Sequence, residues 1–306
     1  MTTINSKHKN WLNWLIISVC VLIIFIFALS FLLNSLIPDS KVFPAKIAVI
    51  PVKGDIYFDK AMFSDALTAD ELIERIESAE HDPSINAILL EINSSGGEVV
   101  ATKQVVEKLK QTKKPVVSWI ASVGASGAYY IAATSDYIFA DADSITGSIG
   151  VISMIMNYEG LMEKLGLEVE VLKEGEFKDM LSPFSDFDDK GKALLQEMIH
   201  ESYLGFKNDV FELRNGKMNE TAFDEIADGR ILSGRQALKI GLIDELGTKE
   251  DALMKASELA GFSGKPIAIN YANSGSGLGS FFTTAGFSFG QGFKEGLEYT
   301  PTYIRT

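Results

Sequence analysis

Beyond residue 44 the chain alternates between short, almost wholly apolar runs and stretches with helical spacing. Lys46–Ile56 (KIAVIPVKGDI), Asn86–Ile92 (NAILLEI) and Pro115–Ile120 (PVVSWI) are β-branched and apolar, the pattern of buried strands. Between them, Asp70–Ala79 places Leu72, Ile73 and Ile76 on one helical face, and Gly97–Gln111 is also helical in pattern. Ser126–Thr134 reads as a helix and Tyr137–Ala140 as a short strand. Tyr158–Leu165 and Val169–Leu172 add another helix and strand. Asp188–Arg214 is a long amphipathic helix with Leu194, Leu195, Met198, Ile199, Tyr203 and Phe206 at helical spacing. A last helix, Ser233–Lys239, ends at Gly241, a natural C-cap. Strands alternating with helices predict βαβ units, an α/β fold and a largely parallel sheet covered on both faces.

The N-terminal pattern differs. Trp14–Leu33 is apolar except for Ser18 and Ser30. As a helix, this run rises about 30 Å, the thickness of a bilayer core. Trp11 and Trp14 sit at one end, Lys7 and Lys9 precede it, and Asp39 and Lys41 follow. The positive-inside bias then puts the short N-terminus in the cytoplasm and the rest outside the cell membrane. The exit Asn34–Pro38 lacks the small-x-small site of a cleaved signal peptide, so a retained single-pass anchor is expected. Three regions follow: a cytoplasmic stub and anchor over 1–38, an extracytoplasmic domain over 39–272, and a Gly/Ser/Phe-rich C-terminal tail over 273–306, with no internal repeat.

Composition narrows the chemistry. The net charge is −13, and removing Lys7 and Lys9 leaves −15 beyond residue 38. Such a domain has no electrostatic pull on nucleic acid, which is excluded as a partner. The single cysteine, Cys20, lies in the apolar run, so there is no internal disulfide, no cysteine metal cluster and no thiol nucleophile in the following domain. Only three histidines occur: His8, His81 and His200.

Three polar loops follow strand ends, where sites gather in parallel α/β sheets. In Asn93-Ser94-Ser95-Gly96-Gly97, two glycines let backbone N–H groups approach a ligand, and the next helix points its positive end there, an arrangement suited to an oxyanion. It is equally an ordinary turn. In Gly124-Ala125-Ser126-Gly127-Ala128, a serine between small residues stands where a strand turns into a helix; it presents a nucleophile or simply caps the helix. Ser144–Val151 is a polar turn; its Ser148 hydroxyl either orients a neutral amine or is simply part of a turn. A nucleophilic serine needs a base. Neither His81 nor His200 falls on a strand-end loop, so a Ser-His-Asp triad is disfavoured. A lysine serves instead when burial lowers its pKa from about 10. Lys178, in the loop Gly175–Pro183, is the candidate, with Asp179 beside it as a candidate surface partner.

Taken in order, N-S-x-G-G, G-A-S-G-A-Y-Y-I-A, I-T-G-S-I-G-V, F-K-D-x-x-S-P and D-G-R-I-L-S-G-R-Q-A-L-K-I-G-L-I-D-E-L-G resemble the signal peptide peptidase A family, in its short single-domain form. The resemblance runs from about Lys46 to Phe262. It implies a Clp-protease/crotonase-like parallel-sheet βαβ core and a serine/lysine endopeptidase. Residue by residue it makes Ser126 the nucleophile, Lys178 the general base, Ser148 the hydroxyl that holds the lysine, and the N–H groups of Gly97 and Gly127 the oxyanion hole. No cofactor or metal is implied. Implied substrates are released signal peptides or similar apolar peptides. The implied assembly is a ring or dome of identical subunits; whether Lys178 meets the Ser126 of its own chain or of a neighbour is left open by the sequence. One departure is Ser95, where the family usually has proline; serine frees φ and adds an N–H. Two alternatives stay open on sequence alone: a crotonase-like acyl-CoA enzyme, and a catalytically inactive membrane scaffold.

Overall fold

The computed structural model describes residues 44–59 and 67–272, together with Trp14, residues 17–19 and residues 21–25 of the N-terminal apolar run, which are helical. Among the described residues no helix is long and apolar enough to cross a membrane. Most of the expected anchor Trp14–Leu33, and the tail from 273, lie outside the described residues.

The fold is a mixed α/β domain built on a predominantly parallel sheet. Its spine is β1 (Lys46–Lys53), β4 (Ala87–Ser94), β5 (Val116–Ala125) and β6 (Tyr137–Ala140), flanked by β10 (Ile267–Asn270) beside β1 and β9 (Glu245–Leu246) beside β6. Every pairing along this path is parallel. A short strand β7 (Ile145–Gly147) pairs with the far end of β5, and β8 (Ile231–Ser233) joins β7 antiparallel. A separate parallel pair, β2 (Ile56–Tyr57) and β3 (Leu67–Thr68), lies over the carboxyl end of β1.

The near-continuous apolar runs are explained by burial on both faces. One face carries Ile50, Ile88, Leu90 and Ile120 against α1 (Ala69–His81), α2 (Val99–Lys110) and α3 (Gly127–Ala133). The other carries Ile47, Val49, Leu89 and Val117 against Ala252 and Ala256 of α8 (Lys249–Leu259). α1 starts at a capping box, with Thr68 accepting from Glu71 N–H and the Glu71 carboxylate accepting from Thr68 N–H. Between β7 and β8 run α4 (Glu159–Lys164), the long α5 (Asp189–Leu213) and α6 (Glu220–Ile226); α7 (Gly234–Ile240) follows β8 and ends at left-handed Gly241, φ +84°.

Three sequence expectations are corrected. The first strand does not run through Ile56: Gly54, φ +76°, turns the chain and hands Ile56 to β2. Val169–Leu172 forms no strand, and Leu172 is 90% exposed. The long helix forms as expected, but only Gly191, Phe206 and Val210 of it are buried, so the apolar face at Leu194 and Met198 faces outward.

Candidate active site

The site grows from the ends of β4, β5 and β7. The parallel register pairs Ser94 with Gly124 and Ala125 with Gly147, so the three polar loops leave the sheet side by side. Ser126 is the first residue past β5. Its backbone, φ 52° and ψ −125°, lies where side chains are rarely found and costs on the order of 1–3 kcal/mol. Two hydrogen bonds hold it there: Ser126 N–H donates to Gly147 O (2.8 Å), and Ser126 O accepts from Tyr130 N–H (3.0 Å). The other non-glycine residue with positive φ among the described residues is Ser148, φ 53°. It follows the strand partner of Ala125, and its N–H donates to Arg230 O (2.8 Å). Both strained serines therefore stand at adjacent strand ends.

The glycine loop after β4 presses against Ser126 from the other side. A Cβ on Gly96, φ +110°, would sit 2.8 Å from Gly127 N and 3.0 Å from Ser126 Cβ. A Cβ on Gly97 would sit 1.9 Å from Ile56 O. Gly97 forms a parallel bridge with Ile56, in which Ile56 N–H donates to Gly96 O and Glu98 N–H donates to Ile56 O, each at 2.9 Å. These bonds use the groups on either side of Gly97 and leave its own N–H turned the other way. Gly127 opens α3, where an N–H has no intrahelical acceptor.

Gly97, Ser126 and Gly127 line one cleft of about 110 Å3, walled by Tyr130, Phe206 and Ile152. The Tyr130 and Phe206 rings are 5.2 Å apart, and the Tyr130 hydroxyl donates to the Asp209 carboxylate. Burial pushes the Tyr130 phenol up, and Asp209 adds to the shift, so it stays a neutral donor. The cleft thus offers a serine, two backbone N–H groups and an apolar wall, the parts acyl transfer requires.

Lys178 is not brought to this cleft. It is exposed, in a turn whose backbone closes through Lys178 N–H to Gly175 O (3.2 Å). Nor is Asp179 its partner: Asp179 pairs with Lys173 at 2.6 Å, a hydrogen bond that holds its carboxyl below the usual carboxylate range. His81 is exposed, with Nδ1 2.8 Å from Glu77 O, and His200 is exposed beside Tyr203; neither lines the cleft. No group of residues suited to a metal ion occurs among the described residues. Tyr130, Asp209 and Phe206 were not singled out for the site by sequence. Tyr130 stands in the small-residue motif itself, but Phe206 carries only the signal of a core-facing helix position.

Comparison with known proteins gives the family. The model of peptidase family S49 matches residues 108–263, and that of Clp protease matches residues 54–139. A Methanocaldococcus jannaschii protein named as a protease is 40% identical over 259 residues, covering 82% of this chain and 83% of its own. An Enterococcus faecium protein named as signal peptide peptidase SppA is 33% identical, covering 81% of this chain and 72% of its own. Protease 4 of Haemophilus influenzae is also 33% identical, but its matched part is 35% of that longer protein. The chain belongs to peptidase family S49 and is a serine protease of that family.

Proposed function

We propose that the chain is a membrane-anchored serine endopeptidase in which Ser126 is the nucleophile and Lys178 the general base. The observation that carries this reading is the strained Ser126 backbone at a cleft that also presents Gly97 and Gly127. Neutral Lys178 takes the Ser126 proton as Oγ attacks the peptide carbonyl. The N–H groups of Gly97 and Gly127 bind the oxygen as it becomes an anion, a contact that strengthens in the transition state. Collapse expels the amine, which takes the proton from Lys178, and water then hydrolyses the acyl-serine with Lys178 again as base. Ser148 accepts a hydrogen bond from the lysine and orients it. The wall of Tyr130, Phe206 and Ile152 suits apolar peptides, and released signal peptides are the substrate class in view.

A solvated lysine is a poor base at neutral pH, and Lys178 is exposed in the single chain. The reading is completed by a homo-oligomer in which the segment bearing Lys178 packs against a neighbour and delivers the amine to that neighbour's Ser126. The exposed apolar side chains of the segment, Ile152, Met154 and Leu172 among them, support such a contact. In this reading residues 1–38 anchor the protein with the N-terminus in the cytoplasm, residues 39–272 work outside, and the tail 273–306 is an appendage. Family membership favours the peptidase over the acyl-CoA alternative.

Peptide hydrolysis by a purified protein lacking the apolar N-terminus tests the reading, with wild type, Ser126→Ala and Lys178→Ala compared across pH 6–10. Loss of turnover in both variants, with wild-type activity rising through one ionisation, is expected. Activity surviving in Ser126→Ala removes the reading.

A further inference from the structure

The oxyanion loop is tied to the turn between β1 and β2 by a side-chain clamp that neither the motif nor the family assignment covers. The Ser95 hydroxyl donates to Asp55 Oδ1 across forty residues of sequence. The Tyr57 hydroxyl reaches the other carboxylate oxygen at 3.5 Å. Around this clamp the backbone is stitched on both sides: Gly54 N–H donates to Asn93 O (3.2 Å), and Ile56 brackets Gly97 through Gly96 O and Glu98 N–H. Ser94 Oγ closes the loop on itself through Gly96 N–H (3.1 Å).

The clamp sits at a loop position whose own N–H provides no such restraint. Ser95 N–H donates to no group among the described residues, so its backbone is held only from its side chain and its neighbours. The next residue, Gly96, has the conformational freedom of a residue without Cβ, and Gly97 carries the N–H at issue. Gly96 already lies close against Gly127 N, so sliding the loop by a fraction of an ångström changes where the two oxyanion donors converge. An oxyanion hole works by being in place before charge develops, and a loosely held donor forfeits much of that advantage.

We infer that Asp55, acting through Ser95, is a positioning residue that holds the Gly96–Gly97 loop so that the Gly97 N–H stays aimed at the oxygen of the tetrahedral intermediate. The inference rests on the Ser126 reading. The carboxylate makes the hydrogen bond charge-assisted, hence stronger than a neutral pair. It supplies at position 95 the restraint that a proline ring would supply covalently by fixing φ. Two requirements of a proline are met here: Ser95 N–H is not used, and Ser94 before it is in a strand.

That equivalence provides the test. Turnover of an apolar peptide is measured for wild type, Ser95→Ala, Asp55→Asn, Ser95→Pro and the double variant Asp55→Asn/Ser95→Pro, with melting temperatures as a folding control. Ser95→Ala and Asp55→Asn are expected to lower kcat about tenfold with KM within about twofold, because the contact matters most in the transition state. Ser95→Pro is expected to keep near-wild-type kcat and to make Asp55→Asn nearly silent. The inference is overturned if Ser95→Ala and Asp55→Asn both stay within twofold of wild type, or if Asp55→Asn costs as much in the Ser95→Pro background as it does alone. Activity persisting in Ser126→Ala would instead remove the reading beneath it, so the two failures are distinguishable.

Discussion

The sheet and the segment after it both carry many large apolar residues and end in opposite states. In β4, Ala87, Ile88, Leu89 and Leu90 are all buried. Between residues 151 and 190 no residue is buried, although the stretch contains Ile152, Met154, Met156, Leu165, Leu167 and Leu172; Met154 and Leu172 are 87% and 90% exposed. The first region sets Ser126 beside Gly97 and Gly127 in one cleft, while the second carries Lys178 on a surface its own chain does not cover. Exposed large apolar side chains gathered in one segment are what a contact surface would use. The difference teaches that packing within the chain fixes the position of Ser126 but leaves Lys178 exposed; in the proposed reading a neighbouring chain supplies the missing packing.

The sharpest break in this comparison is functional. Lys178→Ala is expected to reduce kcat by at least about a thousandfold while leaving the melting temperature unchanged, since the residue contributes to chemistry and not to the core. Lys178→Arg gives no rescue, because a guanidinium does not deprotonate. Turnover together with a thermal melt checks both. A retained kcat in Lys178→Ala would detach the second region from catalysis.

Stability gives the converse. Leu90→Ala in the sheet is expected to cost about 2–5 kcal/mol, whereas Leu172→Ala should change stability by less than about 0.5 kcal/mol. Urea unfolding of the two variants measures the contrast directly. Near the sheet, Arg214 is 1% exposed and its guanidinium is paired with Asp244, with Nη1 3.0 Å from Oδ2 and Nη2 3.1 Å from Oδ1. Burial alone would raise the Asp244 carboxyl, but the hydrogen bonds and charge of Arg214, together with Lys217 and the Ile138 N–H, outweigh it and hold the group below its ordinary value. With the folded-state value depressed, its contribution is complete above about pH 4, the unfolded value, and is lost as pH falls through the folded one. Arg214→Ala is expected to cost about 3–5 kcal/mol at neutral pH and to flatten the acid limb of stability. Unfolding free energies from pH 2 to 7 would show it.

A smaller effect sharpens the contact surface. Leu172→Glu should leave the single chain folded yet weaken self-association, lowering activity most at low protein concentration. Sedimentation velocity with parallel activity measurements checks this. Unchanged assembly and unchanged activity would mean that the face around Leu172 is not the contact.

Much of this was legible in sequence, for physical reasons that also mark the gaps. Buried parallel strands read as unbroken apolar runs, so β1, β4 and β5 stood out, and Gly241 marked the end of α7. Ser126 was legible because a serine among small residues after such a strand is a local signal. The strands β7 to β10 were not, since pieces of two to four residues are set by their partners more than by their own sequence. Val169–Leu172 misled for the same reason: Glu-Val-Glu-Val alternates like a strand, but no neighbouring strand among the described residues pairs with it. The Asp55–Ser95 clamp leaves no trace in pattern, because it joins two turns forty residues apart.

The most direct test of the central claim is the intact mass of the protein, and of its peptides, after reaction with a serine-reactive phosphonate. One adduct per chain is predicted, located on the peptide containing Ser126, absent from Ser126→Ala and slowed in Lys178→Ala. An adduct of the same stoichiometry and rate on Ser126→Ala would contradict the account.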